Sequence, residues 1–85
     1  MECVVVERIF DPGVSLQDLR LLDESSGWCK EAHGVRLLHS YVSADGKRVI
    51  CVYEAPDAES VRIANRKAGA PYENVWKAAV YQPAK

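Results

Sequence analysis

The sequence predicts an α+β domain with the ferredoxin-like order βαββαβ, in which a four-stranded antiparallel sheet carries both helices on one face. Two observations predict this fold. A hairpin pattern spans Val35–Pro56, where β-branched and aromatic runs flank the turn signal Asp45-Gly46. A strand-like segment also lies near each end of the chain, and a segment with helical spacing separates each of them from the hairpin.

The length and charge of the chain limit the possible classes of protein. Its 85 residues predict one domain over residues 1–82, followed by a loose tail at residues 83–85. The net charge is −1, and no basic stripe is present, so we expect neither nucleic acid nor a membrane as partner. The N-terminal residues do not resemble a signal peptide, and the three cysteines lack Cys-x-x-Cys spacing. We therefore expect a cytoplasmic protein without a disulfide framework or zinc knuckle.

The first strand and first helix are predicted in sequence order. The apolar run Cys3–Arg8 predicts a strand. Ser15 is the expected N-cap of a helix, with Asp18 three positions later, and leucines follow at helical spacing. The first helix is therefore expected over Leu16–Lys30. We interpret His33, beside a glycine at the helix end, as a cap or surface residue.

The turn determines the predicted strand register of the hairpin. With a three-residue loop and Gly46 in the left-handed region, the predicted pairs are Ser43 with Lys47, Tyr41 with Val49, His39 with Cys51, and Leu37 with Tyr53. One face is then aliphatic and suits contact with helices: Leu38, Ser40, Val42, Ile50 and Val52. The other face is open and carries hydroxyl, imidazole and thiol groups: Leu37, His39, Tyr41, Val49, Cys51 and Tyr53. Arg36 and Glu54 are expected to pair across the hairpin.

The second helix and last strand complete the predicted order. Asp57 is the expected N-cap, and a stripe of small residues follows at Ala58, Val61, Ala64 and Ala68. Gly69 ends the helix, and Asn74–Tyr81 is the predicted last strand. The open sheet face would expose a large apolar patch, so we expect a homodimer with facing sheets. Trp28 and Trp76 are expected in the core or the dimer contact.

Three segments together resemble a known family: His39-Ser40-Tyr41-Val42, Cys51–Pro56 and Gly69-Ala70-Pro71. They are similar to the small ferredoxin-like family known as domain of unknown function 4242, some members of which are described as nickel-binding or nickel-responsive. The resemblance runs from Val5 to Val75 and implies a dimeric α+β fold. Nickel-type members carry histidines where this chain has Ala64 and Ala68. Because imidazole is a preferred nickel ligand, we expect weak nickel binding and assign no metal ligands.

The predicted ligand-binding residues line a cavity between the facing sheets: Glu7, His39, Tyr41, Cys51 and Tyr53. Cross-strand partners have Cβ atoms roughly 5 Å apart, so His39 and Cys51 could form a Cys/His pair, or a metal site with Glu7. The alternative interpretation is that both are packed residues. Glu7 is either a desolvated carboxylate facing the dimer cavity, or a strand-end carboxylate paired with Arg8, Arg36 or Arg48.

The first functional hypothesis is a non-enzymatic, homodimeric ligand-binding module, with no catalytic residue and no cofactor assigned. The second is a cofactor-independent enzyme of the monooxygenase or isomerase type that uses the same cavity. Analogy of fold alone supports this second hypothesis. A purely structural partner domain is the third.

Overall fold

The chain folds into four strands and two helices in the predicted order βαββαβ. The computed structural model describes residues 1–84, apart from the side chains of residues 26 and 28–31. The elements are β1 (Glu2–Ile9), α1 (Leu16–Ala32), β2 (Arg36–Val42), β3 (Arg48–Ala55), α2 (Ala58–Ala68) and β4 (Asn74–Ala78). The strands form one antiparallel sheet in the order β2-β3-β1-β4. The predicted fold class is confirmed.

Both helices begin at the predicted capping residues. The backbone N–H of Asp18 donates to Ser15 Oγ at 3.0 Å, and the Ser15 N–H donates back to Asp18 Oδ2 at 3.0 Å. This second bond holds the pKa of the Asp18 carboxyl below its ordinary value. Asp57 Oδ1 accepts from the Ser60 N–H at 2.7 Å, and Gly69 ends α2 with a φ of 70°. The predicted ends of α1 and β4 differ from the observed ends at Ala32 and Ala78.

The hairpin register differs from the predicted one, because polar side chains in the turn bind backbone donors. Ser43 Oγ accepts from the Arg48 N–H at 3.0 Å, and Asp45 Oδ1 accepts from the Lys47 N–H at 3.0 Å. The loop therefore contains residues 44–47, and Ser43 pairs with Arg48 rather than with Lys47. A bulge between Leu37 and His39 then adds a residue to β2, so that the pairs are Tyr41–Ile50, Ser40–Cys51, His39–Val52 and Leu37–Tyr53.

A one-residue slip exchanges the faces of a strand, and the predicted faces of β3 are therefore wrong. Its buried side chains belong to the core, against the helices: Val49, Cys51, Tyr53 and Ala55. Ile50 and Val52 are half-buried on the opposite face. In β2, His39 and Tyr41 lie on the open face as predicted, whereas Leu37 packs against the core. Leu38 lies at the bulge and is exposed.

The hairpin turn is fixed to the loop that joins β1 to α1. The Phe10 N–H donates to the Lys47 carbonyl at 2.7 Å, and the Val14 N–H donates to the Gly46 carbonyl at 2.8 Å. Gly46 has a φ of 72°, and a Cβ atom at this position would collide with the Val14 backbone. Glycine is therefore required both by the backbone conformation and by the close approach of the loop.

The core lies between the sheet and the helices. Its fully buried large side chains are Val4, Val6, Val49, Tyr53 and Val61.

Within residues 1–84, no helix combines the length and apolar character needed to cross a bilayer. The expectation for Trp28 lies outside the side chains that the structure describes.

Candidate functional site

The sheet face opposite the helices, here called the open face, is crossed by three rows of paired residues. They are Asn74–Glu7–Ile50–Tyr41, Trp76–Val5–Val52–His39 and Ala78–Cys3–Glu54–Arg36. The centre of the face is aliphatic, and aromatic side chains flank it on both outer strands. Arg36 Nη2 lies 3.8 Å from Glu54 Oε1, so the predicted Arg36–Glu54 pair is confirmed.

Three of the predicted site residues lie on the open face: Glu7, His39 and Tyr41. Glu7 Oε2 accepts from the indole N–H of Trp76 at 2.8 Å, so its partner in the structure is an indole and not an arginine. The His39 ring packs edge-on against Tyr41, with ring centroids 5.3 Å apart. Glu7 lies in the row of Tyr41, and His39 lies in the next row on the far side of β3, so their Cα atoms are about 12 Å apart within one chain. That distance is too long for direct proton transfer between them.

The other two predicted site residues, Cys51 and Tyr53, lie on the helix side of the sheet. Cys51 is opposite Ser40, and Cys51 Sγ accepts from Ser40 Oγ at 3.3 Å. The predicted His39–Cys51 pair is therefore wrong, because the two side chains point to opposite faces. The hypothesis of a single site containing all five residues is wrong for the same reason. Ligand binding by any of them stays a prediction.

A cavity of about 220 Å³ lies between α1 and the helix side of the sheet. Most of its walls are apolar, with leucines from α1 and aliphatic side chains from β2: Leu16, Leu19, Leu22, Leu37 and Val42. Its polar lining comes from Arg8, Ser40, Cys51 and Tyr53 on the sheet and from Arg20 and Asp23 on α1. Such a mixture of apolar walls and few polar groups is typical of small-molecule sites.

The Arg8 guanidinium is the buried cation of this cavity, with 4% of the residue exposed. Nη1 donates to the Pro71 carbonyl at 2.7 Å, and Nη2 donates to Tyr53 Oη at 3.0 Å and to Asn65 Oδ1 at 2.6 Å. The Asn65 amide is held in turn, because its Nδ2 donates to the Val61 carbonyl at 2.8 Å. The guanidinium is therefore fixed by three neutral oxygen acceptors from three different segments.

Burial also changes the acidity of Tyr53. Desolvation raises the pKa of its phenol to about 12, an effect that the nearby Arg8 charge opposes. The phenol consequently stays protonated at neutral pH. The oxygen of this neutral phenol accepts a hydrogen bond from Arg8.

The sequence interpretation considered Arg8 only as a partner for Glu7, and it did not consider Asn65. The signal for Arg8 was present, because strand alternation places it with Val4 and Val6 on the buried face. A guanidinium there must find acceptors. Asn65 follows Val61 by one helical turn and lies on the same buried side of α2.

The side chains that the structure describes assemble no set of metal ligands. Among these described side chains, no group of three or more His, Cys, Asp or Glu residues could hold a metal ion. His39 and Cys51 lie on opposite faces, and Glu7 is engaged by Trp76. On α2, Ala64 is 1% exposed and is packed in the core, where it offers only a methyl group.

The fold and the cavity define a small ferredoxin-like α+β protein with a space for a ligand on the helix side of its sheet. The chain belongs to the family described as nickel responsive protein SCO4226-like, which matches residues 5–77. The predicted relation to nickel-responsive proteins is therefore confirmed, whereas the label domain of unknown function 4242 stays a resemblance.

Solved structures share this fold. The crystal structure of SCO4226 from Streptomyces coelicolor A3(2) superposes with a TM-score of 0.83, covering 94% of this chain and 99% of that chain. The sequence identity is 14%, so this likeness concerns the fold alone. No curated protein matches the chain.

Proposed function

We propose that the protein is a non-enzymatic module that binds a small molecule in the cavity between α1 and the sheet. The observation that carries this proposal is the cavity itself: about 220 Å³ of space, lined largely by apolar surface beside one buried guanidinium. The volume is below the range of roughly 300–1,000 Å³ that is usual for drug-sized ligands, so the ligand is small. A matched pair of probes tests binding: hexanol and hexanoate, titrated into the wild-type protein. Failure of both to bind at millimolar concentration would contradict the proposal.

The second part of the proposal is a homodimer formed through the open face. Tyr41 is 65% exposed and Trp76 46% exposed, and they lie on either side of the aliphatic centre. A two-fold contact brings each patch against its own copy, so unpaired charges would repel. Here the Arg36 and Glu54 charges compensate each other, and Glu7 accepts from Trp76. In this dimer, Glu7, His39 and Tyr41 face the partner sheet.

Sedimentation of a Tyr41→Asp variant tests the dimer. The new carboxylate would be buried without a partner at the proposed contact, so the variant is expected to sediment as a monomer at micromolar concentration. Tyr81→Asp is the matched control, because Tyr81 is 77% exposed and lies beyond β4. A monomeric wild-type protein, or a Tyr41→Asp variant that stays dimeric, would contradict this contact.

For nickel, we propose that this chain binds the ion weakly, despite the family description. Ala64 and Ala68 supply no ring nitrogen, and among the described side chains no alternative group of ligands is assembled. Calorimetric titration with nickel is expected to give no saturable tight binding. Stoichiometric, tight binding that survives Ala substitution of both His39 and Cys51 would show that the ligands lie elsewhere in the chain.

A reducing, cytoplasmic location is proposed because Cys3 and Cys51 are free thiols.

A further inference from the structure

We propose that the ligand of the cavity is a small organic monocarboxylate, whose carboxylate group binds the Arg8 guanidinium while its apolar body lies among the leucines of α1. This inference rests on the proposed small-molecule binding and names the class of ligand.

The charge of the buried Arg8 guanidinium favours an anionic ligand. Burial of a guanidinium is costly unless the charge is compensated, and the three acceptors of Arg8 are a carbonyl, a phenol and an amide. Within the described side chains, no carboxylate forms an ion pair with Arg8. The guanidinium group has more N–H donors than these three bonds use. An anion in the cavity would supply the negative charge that these neutral acceptors lack, together with further hydrogen bonds from the guanidinium.

The other charged side chains of the lining favour a ligand with one negative charge. Arg20 and Asp23 also line the cavity, from α1. Arg20 Nε lies 3.3 Å from Glu24 Oε1, so a neighbouring carboxylate already compensates this second guanidinium. Arg8 is then the guanidinium of the lining that a ligand can neutralise, and one negative charge is enough for that. A monocarboxylate fits this balance better than a phosphate dianion does.

The apolar walls of the cavity favour a ligand with an apolar body. Leu19 and Leu22 of α1 face Leu37 and Val42 of β2 across the space, and an aliphatic chain can replace water there. A bare inorganic ion would leave these apolar walls in contact with water. The Ser40 hydroxyl lies on the polar side of the lining, where it can turn from the weakly accepting Cys51 sulfur to the stronger acceptor that a carboxylate offers.

Isothermal titration calorimetry with the full chain tests the charge requirement. Hexanoate is expected to bind with one site per chain, and at least about tenfold more tightly than hexanol, because only hexanoate forms an ion pair with Arg8. Inorganic phosphate is expected to bind more weakly than hexanoate. Equal affinities for hexanoate and hexanol would overturn the carboxylate assignment while leaving the proposed small-molecule binding intact. Phosphate binding as tight as hexanoate binding would overturn the role of the apolar walls.

Two variants locate the site. Arg8→Lys keeps the charge but loses the planar fork, so hexanoate affinity is expected to fall about tenfold or more. Because that change also disturbs the bonds to Asn65 and Tyr53, Ser40→Leu is the second variant: it fills the cavity and leaves Arg8 unchanged. Ser40→Leu is expected to abolish hexanoate binding, with the circular dichroism spectrum preserved. Undiminished affinity in this folded variant would overturn the assignment.

Two further variants serve as comparisons. Ser25→Leu introduces the same side chain on an exposed part of α1, outside the cavity lining, and is expected to leave hexanoate affinity unchanged. Arg20→Gln removes the ion-paired guanidinium of the lining and is expected to weaken binding less than Arg8→Lys does. The reverse order of the two arginine variants would place the carboxylate at Arg20 and overturn the assignment to Arg8.

Discussion

Replacement of Tyr53 by phenylalanine removes one oxygen atom from the Arg8 network and leaves the aromatic ring in the core. Tyr53 is 1% exposed, and its Oη accepts from Arg8 Nη2 at 3.0 Å. A hydrogen bond to a charged group contributes about 1.5–3 kcal/mol to stability, and the variant leaves a buried charged donor without this acceptor. For a domain of this size, we expect the melting temperature to fall by roughly 10 °C.

The pH dependence provides a second readout of the same change. The phenol of Tyr53 has a pKa of about 12 in the folded chain, against an ordinary value of 10.0. A raised folded-state pKa contributes stability that is complete below pH 10 and is lost as the pH rises towards 12. At about 1.4 kcal/mol per pH unit, the wild type loses roughly 2–3 kcal/mol over this window. The phenylalanine variant has no such phenol, so the stability difference between the two proteins should shrink.

Urea unfolding followed by circular dichroism measures both effects, at one protein concentration throughout. Tyr81→Phe is the matched control, because it removes a hydroxyl from a side chain that is 77% exposed and lies beyond β4. The control is expected to change stability by less than about 0.5 kcal/mol. If Tyr53→Phe cost no more than this control, the Arg8–Tyr53 bond would be refuted. If the stability of Tyr53→Phe fell between pH 10 and 12 as steeply as that of the wild type, the desolvation of the Tyr53 phenol would be refuted.

Two further substitutions test the fold around the site. Gly46→Ala should lower the free energy of unfolding in urea by about 2 kcal/mol or more, because Gly46 has a positive φ and lies against the Val14 backbone. Gly27→Ala is the control and should be neutral or stabilising, because the space around Gly27 is open. Equal effects of the two substitutions would contradict the turn geometry. His39→Ala should change the stability of the single chain by less than about 0.5 kcal/mol, because His39 is exposed in that chain; a loss of roughly 2 kcal/mol that does not vary with protein concentration would instead identify His39 as a core residue.

Local signals were sufficient to predict the element order and the helix starts. Ser15 and Asp57 have side chains that bond the next turn of backbone, and such caps act over a few residues. Alternation along β1 correctly separated Glu7 from Arg8, because a strand without a bulge keeps its period.

The faces of the hairpin could not be predicted, because two local features determine them: the length of the turn and a bulge in β2. Ser43 and Asp45 bind backbone N–H groups in the turn and lengthen the loop by one residue. The bulge near Leu38 then restores the predicted pairing of Leu37 with Tyr53. A slip of one residue was enough to move Cys51 and Tyr53 from the predicted open face to the core.

The cavity depends on contacts between elements that are distant in sequence. Arg8 meets Tyr53, Asn65 and the Pro71 carbonyl, which are separated from it by 45, 57 and 63 residues. No spacing rule predicts these partners, although an arginine on an apolar strand face indicates that some must exist.

Intermolecular nuclear Overhauser effects between hexanoate protons and protein methyl groups test the central claim most directly, because they distinguish the two faces of the sheet. The account predicts effects from the aliphatic chain to methyl groups of Leu19, Leu37 and Val42, which line the cavity. It predicts none to Val5 and Val52, which pair on the open face. Effects confined to Val5 and Val52 would place the ligand between facing sheets and contradict the account.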